Sequence, residues 1–150
     1  MKLGIANDHA GVDLKFELID YLEGLGHEIV NFGTDEKEST DYAIWGEKLA
    51  NAVANGEVER GIAICGTGNG IGLTCNKVNG IRACVCSDAY TARYSRLHND
   101  CNIIAFGARV IGPDTAKMLC DEFLTAEFEG GRHARRVAMI MDVEKRNHKE

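Results

Sequence analysis

The sequence predicts an α/β protein, a five-stranded parallel sheet lying between two layers of helix. Three observations predict it. Five apolar runs (KLGIAN, HEIVNFG, RGIAICG, IRACVCS and NIIAFG) are short and nearly continuous, as strands buried on both faces are. Each alternates with a segment of helical period. No repeat, linker or low-complexity tract breaks the alternation, and 150 residues suit one domain spanning residues 1–150.

The elements follow in order. KLGIAN ends at Asn7, Asp8 and His9. In VDLKFELIDYLEGLG the apolar residues Leu14, Leu18, Ile19, Leu22 and Leu25 fall on a helical period that Gly26 closes. HEIVNFG is the second strand, and TDEKESTD a polar loop. DYAIWGEKLANAVANGE reads as a helix with Trp45, Leu49, Ala52 and Val53 on its apolar side. RGIAICG is a strand whose glycine loop opens a helix around IGLTCNKV. IRACVCS is a strand, DAYTARYSRLHND a helix, and NIIAFG the last strand. PDTAKMLCDEFLTAEF is a helix with the chain's single proline in its first turn. A helix over about residues 133–146 closes the chain.

The net charge of -6 argues against a general nucleic-acid binder. No apolar run is long enough to span a membrane, and no signal peptide precedes the first strand, so a cytoplasmic protein without membrane partners is expected. The six cysteines form no C-x-x-C and no zinc-ribbon spacing. Five of them, at 75, 84, 86, 101 and 120, read as small buried hydrophobes.

Cys65 differs because of its place. In AICGTGNGIG the strand ends on this thiol, and Gly66, Gly68, Gly70 and Gly72 follow at alternate positions. The loop fits neither the G-x-G-x-x-G dinucleotide fingerprint nor a Walker A loop, because Lys77 lacks its flanking glycine and hydroxyl. What remains is a nest of backbone N–H groups, able to hold a phosphate or a transient oxyanion. A thiol among such donors holds its charged form more easily. Base and oxyanion hole together suit proton removal from carbon beside a carbonyl. The alternative is a tight strand-to-helix turn without chemistry.

In an open parallel sheet the ligand lies outside the carboxyl ends of the strands. Asp8, His9, Cys65, the glycine loop and Arg109 follow strands there. His98, with His9 and Asp8, is expected near the same sheet edge as acid–base equipment. Arg132 and Arg136, four residues apart, share a helix face. With Arg109 they would make a three-arginine phosphate clamp, the alternative being a solvated charged face. No histidine spacing supports a metal site.

Five segments in register, NDHAG, GT…TDY, ICGTGNGIG…NK…GIRA, SRLHND…NIIAFGARVIG and EGGRHARRV, resemble the ribose/galactose sugar-phosphate isomerases, in particular the type B ribose-5-phosphate isomerases. The resemblance implies a Rossmann-like three-layer α/β/α sandwich. It also implies homodimers or homotetramers with shared active sites, and aldose–ketose isomerisation of a sugar phosphate without metal or organic cofactor. On the matching positions Cys65 is the proton-transfer base. Thr67 and the amides of Gly66, Gly68, Asn69 and Gly70 stabilise the enediolate. Asp8 and His98 open the ring, with Tyr42 close by. His9, Arg109, Arg132 and Arg136 bind phosphate, and Asn99 contacts substrate. Ribose 5-phosphate is the implied substrate. Allose 6-phosphate, galactose 6-phosphate and a tetrose phosphate are the alternatives within the reaction class, and a non-catalytic sugar-phosphate sensor the alternative outside it. Asn7, Ala43 and Trp45 depart from the usual motif, the last two in the loop near the sugar.

Overall fold

The computed structural model describes residues 1–148. The chain runs β1 (Lys2–Asn7), a 3-10 turn (His9–Gly11), α1 (Val12–Gly24), β2 (Glu28–Asn31), α2 (Tyr42–Ala54) and β3 (Arg60–Cys65). It continues through α3 (Asn69–Cys75), β4 (Ala83–Val85), α4 (Ala89–Leu97), β5 (Ile103–Gly107), α5 (Pro113–Thr125) and α6 (Arg132–Asn147). The sheet order is β2-β1-β3-β5-β4 and every pairing is parallel. The expected five-stranded sheet is therefore present.

Alternation along the central strands builds the layers. Leu3, Ile5, Ile62, Ile64, Ile104 and Phe106 face Leu14, Leu18 and Leu22 of α1, Ala92 of α4, and Leu119 and Phe123 of α5. Ala6, Ala63, Ile103 and Ala105 face Leu49 and Val53 of α2 and Ile71 and Cys75 of α3. Each fully buried leucine or isoleucine contributes about 1.5–3 kcal/mol of transfer free energy, so this double core dominates the fold.

Two features position the site. The chain steps from β1 outward to β2, then returns to β3 on the other side of β1. That reversal opens a crevice at the carboxyl ends of β1 and β3, the ordinary ligand position in such sheets. Helix α6 is the exception to the compact packing: only His133 and Val137 are buried along it. Its Met139, Ile140 and Val143 stand about half exposed.

One burial was not expected from the sequence, and one sequence expectation needs correction. Lys15 lies in the apolar stripe of α1 and is fully buried. Its Nζ donates to Thr34 O at 2.6 Å and pairs with Asp35. Cys84 and Cys101 are not lone hydrophobes but a disulfide, joining β4 to the turn before β5 with Cα atoms 6.5 Å apart. Neighbouring parallel strands bring them together across 17 residues of sequence. Cys75, Cys86 and Cys120 are free and buried as expected. Burial pushes the Cys75 thiol up to about 12 and raises those of Cys86 and Cys120 as well.

Candidate active site

Cys65 ends β3 in register with Gly107 of β5, and Ile64 beside it pairs with Asn7 of β1. Asp8 continues from β1 and donates its N–H to Ile64 O at 3.2 Å. The switch point therefore places Asp8 and His9 at the strand end beside that of Cys65. Cys65 is only 4% exposed, and its Sγ accepts the Gly68 N–H at 3.2 Å. That bond fixes the sulfur at the mouth of the glycine loop. Among the described residues, the N–H groups of Gly66 and Thr67 donate to no backbone carbonyl. They are the free donors of the nest. The Thr67 hydroxyl accepts the Asn69 N–H at 3.2 Å and holds the turn shut.

The glycines are set by close approach. Gly68 has φ of +87°, and a Cβ there would stand 2.8 Å from the Phe106 backbone. A Cβ on Gly70 would stand 2.5 Å from the Tyr42 ring. Larger residues would thus push the loop off β5 and Tyr42 off the loop. Arg109 follows β5, donates its N–H to Gly66 O at 3.1 Å, and lays its guanidinium against Gly66. Asp8 is 5% exposed and its Oδ1 accepts the Ala10 N–H at 2.9 Å. His9 Nδ1 accepts the Thr40 N–H at 3.2 Å.

His98 is elsewhere, which corrects the expected shared edge. It caps the end of α4, a helix running antiparallel to the strands, and so lies at their amino ends. The neighbouring Asn99 O and Asp100 O accept from the side chain of Arg82, the residue just before β4. Cys65 lies level with the far end of β5, and the two ends of that strand are about 13 Å apart at the usual rise per residue. Arg132 and Arg136 also belong to the amino edge, because His133 between them stacks on His98 with ring centroids 3.9 Å apart and planes 9° apart. The three arginines therefore form no clamp within one chain.

Around His98 the structure adds residues that sequence reasoning left without a role. Glu129 Oε1 lies 3.0 Å from His98 Nε2, and the Glu129 N–H donates to Leu97 O at 3.0 Å. Burial, followed by the charges of His98 and Arg132, lowers the His133 pKa below its ordinary value. Both residues stand in the EGGRHARRV segment, but only the fold shows that they meet His98. His98, Glu129 and His133 bring possible ligand atoms within 4.8 Å of one another. The stacked rings do not suit a shared ion, because an ion in the plane of one imidazole lies off the plane of the other.

Fold and site together define a parallel α/β protein with a candidate site at the carboxyl ends of β1 and β3. Residues 3–140 match the Ribose/Galactose Isomerase family. The Escherichia coli (strain K12) ribose-5-phosphate isomerase B is 49% identical over 145 residues, 97% of each chain. The Pectobacterium atrosepticum D-erythrulose-4-phosphate isomerase is 43% identical over 93% of each. A solved structure of Clostridium thermocellum ribose-5-phosphate isomerase B superposes with a TM-score of 0.97 and 53% identity, covering 99% of this chain and all of that one. The chain belongs to this family, and with it to the aldose–ketose isomerases.

Proposed function

We propose that the chain interconverts ribose 5-phosphate and ribulose 5-phosphate, with Cys65 as the base that moves a proton between C2 and C1. The observation that carries this reading is the buried thiol accepting the Gly68 N–H beside the free donors of Gly66 and Thr67. His98 and Asp8 open the furanose by giving and taking a proton. Cys65 then takes the C2 proton of the aldehyde form, the nest holds the enediolate oxygen, the O2 hydroxyl proton passes to O1, and the thiol returns its proton at C1. A lost oxyanion donor typically costs ~100- to 1000-fold in rate, so the nest is a large part of the catalysis. Phosphate goes to His9, Arg109, Arg132 and Arg136, and Tyr42 and Asn99 line the sugar. No metal or organic cofactor takes part.

The site is shared between two copies of the chain, a homodimer or an assembly of homodimers. Proton transfer needs each group within about 3 Å of its atom, and one chain holds Cys65 and His98 at opposite sheet edges. A twofold axis solves this by setting the carboxyl edge of one copy against the amino edge of the other. Edge strand β4 and α6 supply an apolar face for that contact in Val85, Ile140 and Val143. Each copy acts as one domain in the cytoplasm, α6 contributing its two arginines.

Chelator-treated protein should convert ribose 5-phosphate to ribulose 5-phosphate, followed by product appearance. A folded, reduced protein that ignores it but turns over a tetrose, allose or galactose phosphate would move the substrate. Failure to exchange solvent deuterium into any of these sugars would leave a sensor.

A further inference from the structure

Trp45 takes no part in the chemistry above, yet its indole is tied to the site. Its Nε1–H donates to Thr40 Oγ1 at 3.1 Å. The Thr40 backbone N–H in turn donates to His9 Nδ1 at 3.2 Å. The indole packs against the core between the sheet and α2, and Lys48 Nζ stands 4.6 Å over its ring. A line of contacts thus runs from that core, through one hydroxyl and one amide, to the imidazole beside Asp8.

The chemistry of this line is directional. A neutral imidazole has one acceptor and one donor nitrogen, and a backbone N–H can only donate. Nδ1 is therefore the acceptor, and the His9 proton sits on Nε2. His9 is half-buried, so Nε2–H is the polar group the ring can offer to a ligand. The start of the loop before α2 is anchored independently: Lys15 Nζ and Asn7 Nδ2 both donate to Thr34 O, at 2.6 and 3.0 Å. Between the two ends, Lys37 and Asp13 pair at 2.9 Å while both largely exposed, a contact of small energy. Thr40, at the end of the loop, depends on Trp45 for its side-chain anchor.

We propose that Trp45, acting through Thr40, is a positioning residue that sets the tautomer of His9 and so presents Nε2–H to the phosphate of the sugar. The proposal rests on His9 being a phosphate ligand, as read above. It gives a purpose to one departure of this chain from the family's usual motif at the start of α2.

Three variants test it. Trp45→Phe keeps a ring and removes the donor, Thr40→Val removes the acceptor at constant shape, and Thr40→Ser restores the acceptor. The readouts are the imidazole nitrogen shifts of His9 in histidine-labelled protein, with and without inorganic phosphate, and KM and kcat for ribose 5-phosphate. Wild type and Thr40→Ser should show His9 protonated on Nε2. Trp45→Phe and Thr40→Val should show mixed tautomers, weaker response to phosphate, and KM raised ~3- to 10-fold with kcat within about twofold, the size of one neutral hydrogen bond. An unchanged His9 tautomer in Thr40→Val overturns the proposal, as does a Thr40→Ser protein no better than Thr40→Val. Should Trp45→Phe fail to fold, the two Thr40 variants decide alone. A wild-type protein inert toward ribose 5-phosphate would remove the substrate assignment, and the tautomer comparison would still decide the role of Trp45.

Discussion

At the carboxyl edge of the sheet the candidate catalytic groups are held by backbone, and at the amino edge by other side chains. Cys65 sits on a buried strand end with Gly68 N–H on its sulfur, and Asp8 is locked by the Ala10 amide. His98 is held by the Glu129 carboxylate and the His133 ring, and itself is about a third exposed. The first arrangement suits a group that must meet a transition state with little reorganisation. The second leaves polar and charged side chains, among them Arg132 and Arg136, facing outward from α6. In the proposed function such groups complete the site that the carboxyl edge of a second copy begins. Under the proposed function each edge supplies half of the equipment, and a second copy of the chain would bring the two halves together.

The largest effect should come from breaking the backbone-held half. Cys65→Ala should lower kcat by ~100- to 10,000-fold and abolish deuterium exchange from solvent into the sugar. A protein that kept normal turnover would end the role of this thiol. Mixing offers a sharper test of the two edges. Cys65→Ala and His98→Ala proteins, each inactive, should recover about a quarter of wild-type activity after subunit exchange. Half of randomly paired dimers are mixed, and each mixed dimer holds one intact site. No recovery, with exchange shown by mass spectrometry, would mean that the halves do not meet across subunits. Next in size is the clamp: Arg136→Ala should raise KM about 10-fold or more while changing kcat less, as loss of a charged contact to phosphate does.

The smallest effects are in acid and should separate the two edges. His133 has its pKa lowered in the fold, chiefly by burial and then by the charges of His98 and Arg132. The unfolded chain then binds that proton more readily, so stability is lost as pH falls through the ordinary histidine range. Asp35 has its carboxyl pKa lowered by the hydrogen bond from Lys15 and then that from Asn31. Its contribution is present above the ordinary carboxylate value of 3.8 and is lost only as pH falls below it. Hydrogen exchange during acidification should therefore loosen the start of α6 before the loop after β2. His133→Asn should remove the first step and leave the second, and the reverse order would contradict this account.

Much of this was legible in the chain. The β3 run and the glycines after it announce a strand, a nest and a thiol at its mouth, because strand period and glycine placement are local properties. Asp8 and His9 follow a strand that any open parallel sheet would bring to the same edge. His98 was misplaced for a simple reason. A helix of nine residues returns the chain to the opposite edge, and the functional pattern SRLHND says nothing of that direction. Lys15 was hidden in a helical stripe where a cation is unexpected, although its spacing to Leu18 and Leu22 matches the buried face. The Cys84–Cys101 pairing depends on which strands become neighbours, which no spacing states.

By itself the sequence determined the sheet, the helices and the family, and it named the candidate reactive groups, since these depend on periodicity and on motifs read along the chain. Only the tertiary structure decided that β1 and β3 end side by side with Asp8 and Cys65, that Trp45 reaches His9 through Thr40, and that His98 stands at the far edge. Those relations join residues distant in sequence. They follow from the order in which strands pair and from the direction of each crossover helix, which are properties of the folded chain as a whole.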